Sequence, residues 1–526
     1  MQTLQIVLKS PLLLLASLSM LIAFAADRRR SFVALFILTL AVRSVALPIT
    51  VIAPDEYAFF LAAREVLQGY LPYLSFFDDK PVGSTVLLAL AMKGFGASLL
   101  TLRFFASACV FLAAIGIYET TRRLTTVLSL IPFCAAALYI IYSITLSGMA
   151  TMTEIILAPF TCAGVAFLIT YMTPGEHGKD ARLIMAAGLA FGLAVWIKTV
   201  PIVPAAVLGL FALAYPVIPG WRYVKTVLTH GMLYAVGVLL PTVLTALIYL
   251  LAGHISEFAF SNYGFMGRYI AHPSLTAAAG KLISALITIW PLSLCAVIGL
   301  LIGLGDLSRN REMPRAAAFL GLWLAAELAG AIAPLHMWAH YFLVLLPPLS
   351  IITAITLRRL IDPKMPSAYG ATVVLLALVV LVPGEWASVI TAFGRHDAQR
   401  DAAQAIERAI PSNKRSLLVL SYEFMADYVY TDSALPQKIS LPPLMFGGLS
   451  AMVSDEPSPL KTALAAQPQL ILLDQATIEV DAPKPDYDLI MATLATSYHL
   501  VWQSPDLRYL DTATYYGHNT MLFQHN

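Results

Sequence analysis

Long apolar segments separated by short polar breaks make up the chain as far as about residue 390. Many of them run for roughly 17–25 residues, the length that an α-helix needs to cross the hydrocarbon core of a bilayer. The pattern predicts a mainly α fold, a polytopic transmembrane bundle of about 12–13 helices. The candidate spans are residues 9–26, 31–52, 99–120, 125–146, 155–172, 183–199, 200–217, 226–252, 281–304, 315–334, 340–357 and 367–390.

The pattern changes at about residue 391, where segments of spanning length give way to an amphipathic stretch and then to short apolar runs. The elements predicted beyond this point are a helix at 397–410, strands at 416–421, 468–474 and 498–503, and a strand-like end of the chain. The chain is therefore expected to comprise a transmembrane domain (residues 1–390) and a soluble α/β domain (residues 391–526).

Composition supports a membrane protein. Of the 526 residues, 59% are apolar and the mean hydropathy is +0.76, whereas ordinary soluble domains are roughly 45–50% apolar. The net charge of +2 gives no basic excess, so a nucleic-acid partner is not expected. Cys109, Cys134, Cys162 and Cys295 all lie in apolar segments, which argues against a disulfide framework or a zinc site.

Basic residues indicate which loops are cytoplasmic, because lysine and arginine accumulate on that side. If the spans alternate, the basic clusters share one side, and loops 53–98, 147–154, 253–280 and 335–339 share the outer side with the α/β domain. Residues 83–96 are apolar but short for a crossing, and a crossing there would reverse the charge bias. They are therefore predicted to form a half-inserted or packed helix.

The first outer loop concentrates charge in a chain of which only 12% of the residues are charged. Asp55 and Glu56 open a predicted helix, at the end where the helix dipole favours carboxylates. Tyr57, Phe60, Ala63 and Leu67 share one face, which predicts a helix lying flat on the membrane surface. A simpler interpretation is that Asp55 only caps this helix.

The same loop ends in Asp78, Asp79 and Lys80, just before the next apolar run. A lysine suits a phosphate as a point charge, and a carboxylate suits deprotonation of an attacking hydroxyl or coordination of a divalent ion. These groups at the bilayer edge predict a site for the polar head group of a lipid. The alternative is a solvated turn with local ion pairing.

Two short motifs follow one another in this part of the chain: "PDEY" (54–57) comes after a first core helix, and "DDKPVG" (78–83) comes before the next apolar stretch. This order resembles the GT-C superfamily of membrane glycosyltransferases, which use polyprenyl-phosphate-linked sugars. The branch that it resembles contains the protein O-mannosyltransferases and the lipid A aminoarabinose transferase. In that branch an acidic-Lys-Pro-Pro motif closes the first outer loop. Here the motif reads "DKPV" (79–82), with aspartate in place of the usual glutamate and without the last proline.

Further segments resemble this branch in the same order. "TMTEIILAPF" places Glu154 at the outer end of a span, and "GLAVWIKTVPIVP" resembles the helix that ends in a lysine near the outer surface, here Lys198. "HMWAHYFLVLLPPLS" (336–350) resembles the late helix that opens with a polar-aromatic pair. The resemblance covers about residues 31–360, and the outer domain behind them is less specific.

The resemblance implies an inverting reaction in which Asp55 activates the acceptor hydroxyl and polyprenyl phosphate leaves. Lys80, Lys198 and Arg268 would neutralise the leaving phosphate. The substrate-binding residues would be Glu56, Tyr57, Asp78, Asp79, Lys80, Glu154, Lys198, Arg268, His340 and Tyr341.

Some relatives use a metal and others do not. If this chain does, Asp79 and His272 would hold a divalent ion, with His254 as the other candidate histidine. Simpler interpretations stay open for other residues. Lys198 could extend its ammonium to the outer interface, and Tyr341 could be an aromatic anchor there.

The expected function is transfer of a sugar from a polyprenyl-phosphate donor to a hydroxyl acceptor at the periplasmic face of a bacterial inner membrane, in modification of a cell-envelope glycan or lipid such as lipopolysaccharide. The partners would be the donor, a glycan, lipid or protein acceptor, and membrane lipids. The chief alternative is a transporter or flippase of lipid-linked glycans. Such a protein should show paired repeats and broken helices at the bilayer midplane, whereas the ionisable residues here cluster at one membrane face.

Overall fold

The computed structural model describes residues 25, 27–125, 130–173, 180–215, 221–270, 275–306, 313–360, 398–411, 415–446, 449–453, 458–475, 478–479, 482–504 and 519–526. The helices are, in chain order, α1 Arg28–Arg43, α2 Asp55–Leu67, α3 Gly83–Phe95, α4 Leu99–Leu124, α5 Ile131–Tyr142, α6 Thr153–Met172, α7 Ala181–Ile197, α8 Ile202–Ala214, α9 Trp221–Leu251, α10 Ile255–Ala259, α11 Phe265–Ile270, α12 Leu275–Thr288, α13 Trp290–Asp306, α14 Met313–Ile332, α15 Leu346–Leu360, α16 Ala398–Ala409, α17 Ala426–Tyr430, α18 Pro442–Met445, α19 Ser450–Val453, α20 Pro459–Ala465 and α21 Lys484–Ser497. The strands are β1 Leu417–Val419, β2 Leu470–Asp474, β3 Tyr498–Gln503 and β4 Thr520–His525. The predicted mainly α fold is confirmed.

The chain divides into two compact units, each built from three segments. The first unit comprises Met1–Leu47, Arg103–Ala252 and Pro273–Phe393, and the second comprises Pro48–Leu102, Gly253–His272 and Gly394–Asn526. The second unit therefore combines the first outer loop with the C-terminal region. The predicted boundary at residues 390 and 391 lies outside the described residues and stays a prediction.

Several helices have the length and composition of membrane spans. In the described part of the chain these are Leu99–Leu124, Thr153–Met172, Tyr223–Leu251 and Ala339–Arg359. The protein buries only 17% of the most apolar stretch of Tyr223–Leu251, and Leu239 and Val243 are 57% and 55% exposed. An exposed apolar surface of this extent indicates contact with lipid. The shorter apolar helices are Gly83–Phe95, Ile131–Tyr142, Ala181–Ile197, Ile202–Ala214 and Ala316–Ile332.

Most predicted spans correspond to helices with ends shifted by a few residues, but the span 31–52 is too long. α1 ends at Arg43 and a single 3-10 turn follows it. Pro48 cannot continue a helix, because it lacks an N–H and its ring clashes with the carbonyl four residues earlier. Most of the span 9–26 and all of 367–390 lie outside the described residues.

The predicted span 281–304 is wrong as one continuous helix. Ala278–Thr288 and Trp290–Gly303 are separate helical segments that meet at an angle of 84°. Pro291 lies in the first turn of the second segment, where its ring would clash with the carbonyl of Ile287 if the first helix continued. The apolar pattern does not reveal this break, because both segments are apolar.

The second unit contains a four-stranded sheet with the strand order β1-β2-β4-β3. β1 and β2 are parallel, whereas β4 is antiparallel to both β2 and β3. Side chains alternate between its faces, so Leu417 and Val419 enter one apolar cluster, and Leu418 and Leu420 enter another. The predicted strands are confirmed, and β2 is buried along its whole length as the central position requires.

α2 forms where predicted, but its environment differs from the prediction. Every residue from Glu56 to Arg64 is buried, not only one face. The same apolar cluster contains Tyr57 and Leu61 of α2 together with Ile406 and Leu417 from the C-terminal region. The prediction of a helix lying flat on the membrane is therefore wrong, since protein covers the faces that would have met water.

Candidate active site

Asp55 is the first residue of α2 and accepts a hydrogen bond from a residue of the C-terminal region. Tyr422 Oη donates to Asp55 Oδ1 at 2.5 Å, across 367 positions of sequence. Asp55 is half-buried, and Pro54 precedes it as the N-cap without a side-chain capping bond. The carboxylate therefore does more than cap the helix: a half-buried phenol orients one of its two oxygens.

The predicted Asp78–Lys80 group forms a compact charged cluster in the same unit. Lys80 Nζ lies 2.7 Å from Asp79 Oδ1 and 3.9 Å from Asp78 Oδ1. Asp78 Oδ1 also accepts from the backbone N–H of Lys80 at 3.2 Å, and the ammonium lies 5.2 Å from the centroid of the Phe59 ring. Asp78 is only 6% exposed, so this is not a solvated turn.

The electrostatics connect this cluster with Asp55. Burial raises the pKa of Asp78 to about 7, against the lowering effect of Lys80. Burial alone would lower the pKa of Lys80, but the charges of Asp79, Asp78 and Asp55 raise it well above its usual value. Burial and the charge of Asp55 raise the pKa of Tyr422 well above its usual value. At neutral pH, Lys80 is therefore an ammonium and Tyr422 a phenol that donates.

Two side chains fix the backbone that carries Lys80. Tyr73 Oη donates to the Lys80 carbonyl at 2.6 Å, and Asn262 Nδ2 donates to Tyr73 Oη at 3.2 Å. Tyr73 has a φ of 72°, a left-handed conformation that an aromatic residue rarely adopts. The hydrogen bonds and burial of Tyr73 hold it there, and Asn262 supports the Tyr73 hydroxyl in turn.

Three other predicted substrate-binding residues, Glu56, Tyr57 and Arg268, also lie in this unit. Glu56 is fully buried, and Tyr57 is buried with its hydroxyl donating to the carbonyl of Thr50. Arg268 is exposed, lies 5.5 Å from the Phe260 ring centroid, and donates to the carbonyl of Met452 at 3.3 Å. Their roles in substrate binding stay predictions.

The first unit brings together a second set of predicted residues. Lys198 Nζ lies 2.5 Å from Glu154 Oε1 and 4.1 Å from the centroid of the Tyr341 ring. Thr153 Oγ1 donates to Glu154 Oε2 at 3.0 Å, and the His340 ring meets Tyr341 edge-on at 4.9 Å. Lys198 and Glu154 are 9% and 2% exposed. The interpretation of Lys198 as a lysine extending to the interface is therefore wrong, because its ammonium is buried and paired.

Sequence reasoning missed Arg43, which holds the loop leading to Glu154. Its guanidinium donates to the carbonyls of Gly148 and Met149, both at 2.9 Å. A side chain on Gly148 would collide with the carbonyl oxygen of Ser143, so the loop packs too closely for another residue there. The signal was present in the sequence, since Arg43 falls inside a predicted span, where a charged side chain requires a partner.

The metal prediction is not supported by a complete set of ligands. Among the described residues, no group of three or more histidine, cysteine or acidic side chains is arranged to hold a metal ion. Asp79 Oδ1 is bonded by Lys80, and His272 lies outside the described residues. A metal bound by Asp79 and His272 stays a prediction.

Comparisons with known proteins agree with this architecture. Residues 79–257 match the family model described as dolichyl-phosphate-mannose-protein mannosyltransferase. No curated protein sequence matches the chain at a significant level.

The structure is similar to that of ArnT from Cupriavidus metallidurans bound to undecaprenyl phosphate, with a TM-score of 0.61 and 16% identity over 93% of this chain and 97% of that chain. The apo state of the same protein gives a TM-score of 0.59 with the same identity and coverage. At this identity the likeness shows the fold. The family match over part of the chain and the shared fold together confirm the predicted resemblance to the GT-C superfamily of membrane glycosyltransferases.

Proposed function

We propose that this protein is an inverting glycosyltransferase that moves a sugar from a polyprenyl-phosphate donor to a hydroxyl acceptor, with Asp55 as the general base. The observation that supports this most strongly is the placement of Asp55. A tyrosine orients one oxygen of the carboxylate, and the charges of Asp79 and Lys80 act on that tyrosine. A positioned base is what an alcohol needs, because its hydroxyl is a weak nucleophile near neutral pH.

The proposed reaction is a single displacement at the anomeric carbon. The Asp55 carboxylate takes the proton of the acceptor hydroxyl while the acceptor oxygen forms its bond to that carbon. The bond from the anomeric carbon to the phosphate oxygen breaks, and polyprenyl phosphate leaves with the electron pair. A positioned general base contributes roughly 10²–10⁴-fold to such a step.

Charge on the departing phosphate needs stabilisation, which lysine supplies as a point charge. Lys80 is the candidate within the second unit, but the three carboxyls of Asp55, Asp78 and Asp79 against one ammonium give that cluster a net charge of −2 when all are ionised. Protonation of Asp78, whose pKa burial raises to about 7, reduces the charge to −1 and so weakens the repulsion of an anionic donor. Lys198, neutralised by Glu154 at 2.5 Å, is the candidate within the first unit.

The donor, the acceptor and the location of the reaction are proposed from relatives and from the sequence. ArnT from Cupriavidus metallidurans, which shares the fold, was solved with undecaprenyl phosphate, and this supports a polyprenyl-phosphate donor. A glycan, lipid or protein acceptor, the bacterial inner membrane and a periplasmic site complete the proposal. The basic clusters of the sequence support that orientation.

A transfer assay with the purified full-length protein in detergent tests the proposal. Detergent micelles have no two sides, so a transporter or flippase would produce no covalent change in its substrate. We expect the sugar of a synthetic polyprenyl-phosphate donor to appear on a hydroxyl acceptor. Unchanged donor across a panel of glycan, lipid and protein acceptors would favour the transporter.

Tyr422→Phe is expected to shift the acid limb of the kcat/KM pH profile to higher pH by about one unit and to lower the maximal rate by about 3–10-fold. The Tyr422 hydrogen bond favours the charged form of the carboxylate, and a hydrogen bond to a charged group is worth about 1.5–3 kcal/mol. The Tyr422 pKa is raised, so its phenol donates throughout the range of such an assay.

Tyr498→Phe is the matched control for this variant. Tyr498 is buried in the same unit and donates to the carbonyl of Pro468 at 2.8 Å, so the control also removes one phenolic hydrogen bond within the protein. Its pH profile should coincide with that of the wild type. Equal shifts in both variants would mean that Tyr422 acts only through stability.

A further inference from the structure

Arg64 is a buried arginine near the end of α2 that bonds to residues of the C-terminal region. Its guanidinium donates to the carbonyls of Tyr428 at 3.3 Å and Ser433 at 3.2 Å, and lies 3.5 Å from the carboxylate of Asp432. These partners lie in or just beyond the last turn of α17, where backbone carbonyls have no partner within the helix. Arg64 therefore closes the end of α17 from a distant part of the chain.

α17 packs along one face of α2. Tyr57 and Arg64 are seven positions apart, which places them on the same face of that helix. The Tyr57 ring centroid lies 6.5 Å from that of Tyr430, the last residue of α17. Tyr57 and Tyr428 are both fully buried and belong to one apolar cluster. The bonds of Arg64 are therefore continuous with a packed contact between the two helices.

Tyr428 connects this contact to the sheet. Its hydroxyl accepts a hydrogen bond from the backbone N–H of Val419, the last residue of β1, at 3.0 Å. The next N–H, that of Leu420, donates to the carbonyl of Leu472 in β2 at 2.8 Å. The segment 419–428 is therefore fixed at both ends, on the sheet at one end and on α2 at the other.

Tyr422 lies inside this segment. It is the N-cap of the 3-10 turn Glu423–Met425, which leads into α17, and its hydroxyl donates to Asp55. The segment thus meets α2 at Asp55 and again at Arg64, ~14 Å further along the helix at 1.5 Å per residue. The place of the Tyr422 hydroxyl depends on how the segment is held at this second point.

We infer that Arg64 is a positioning residue for the transfer reaction, which acts through Tyr428 to place the Tyr422 hydroxyl beside Asp55. The inference rests on the proposed function, in which Asp55 is the base. Without the guanidinium, the end of α17 would be released and the bond from Tyr422 to Asp55 would weaken. Because that bond favours the charged carboxylate, the pKa of the base would rise.

The test is the pH profile of kcat/KM for Arg64→Met in the wild-type protein and in the Tyr422→Phe background. In the wild-type protein we expect the acid limb to move to higher pH by about half a unit, because the bond to the base is weakened and not lost. In the Tyr422→Phe background no further shift should occur, because the bond through which Arg64 acts is already absent. Tyr428→Phe should reproduce both results. Arg408→Met, which removes an exposed arginine from α16, should leave the profile unchanged.

Hydrogen–deuterium exchange of the same variants needs no transfer. We expect the amides of residues 417–430 to exchange faster in Arg64→Met than in the wild type, and the amides of α21 to exchange at the wild-type rate. Faster exchange in the variant, combined with absence of transfer by the wild-type protein, would contradict the proposed function but not the link between Arg64 and Tyr422.

Equal shifts of the acid limb in both backgrounds would overturn the inference, because Arg64 would then act through its charge or through the fold as a whole. A wild-type profile and wild-type exchange for Arg64→Met would do the same. Lys80 and Asp79, whose charges also act on Asp55 or Tyr422, are unchanged in every variant. Thermal melting shows that each variant is folded. If Arg64→Met does not fold, Arg64→Lys takes its place, because lysine keeps the charge without the planar fork that reaches two carbonyls, and a shift in the same direction is expected.

Discussion

Asp55→Asn is expected to lower the rate of sugar transfer by about 10²–10⁴-fold, the contribution of a general base. Asparagine has nearly the same shape as aspartate and keeps an oxygen that can accept the Tyr422 hydrogen bond, but it cannot take a proton. Membrane insertion, abundance and melting temperature should stay close to those of the wild type. The measurement is single-turnover transfer with purified protein, which separates chemistry from product release.

Asp488→Asn is the matched control for this change. Asp488 lies on the exposed side of α21, where its carboxylate pairs with Lys484 at 2.9 Å, so the variant removes the same charge from a surface position. Its transfer rate should equal that of the wild type. Transfer by Asp55→Asn at the wild-type rate would remove Asp55 from the role of base.

The second large effect is expected from the buried ion pair of the first unit. Lys198→Met should abolish transfer and lower the free energy of unfolding by about 3–5 kcal/mol, because the Glu154 carboxylate, 2% exposed, loses the ammonium at 2.5 Å. Thermal or denaturant unfolding in detergent measures the stability, and the transfer assay measures the activity.

The double variant Glu154→Gln/Lys198→Met separates the two losses. Removing both charges leaves no uncompensated carboxylate, so much of the lost stability should return while transfer stays absent. Recovery of transfer together with stability would show that Lys198 acts only as a structural partner of Glu154. No recovery of stability would show that the ion pair is not the source of the loss.

The sequence predicts the helices better than their surroundings. Hydropathy locates helices such as α6 and α7 because bilayer thickness imposes a length on them, and the alternation of side chains locates β2. It places α2 at the correct residues but on a membrane surface, since the strands that bury Tyr57 and Leu61 lie hundreds of residues later. The bend before α13 escapes the same reasoning because a proline in the first helical turn is common and marks no break by itself.

Some contacts of the candidate site could likewise be predicted from the sequence, whereas others could not. Asp78, Asp79 and Lys80 are neighbours in sequence, so their meeting follows from local geometry, and the pairing of Glu154 with Lys198 fits the order of motifs in the resembling family. Tyr422 could not be predicted. It comes from the C-terminal region, and only the folded chain brings its hydroxyl to Asp55.

The anomeric configuration of the sugar in the transferred product tests the central claim most directly. If Asp55 acts as a base for direct displacement by the acceptor, nuclear magnetic resonance of the product will show inversion relative to the polyprenyl-phosphate donor. Retention of configuration would mean two successive displacements through a covalent intermediate, and a carboxylate acting as nucleophile would contradict the role proposed for Asp55.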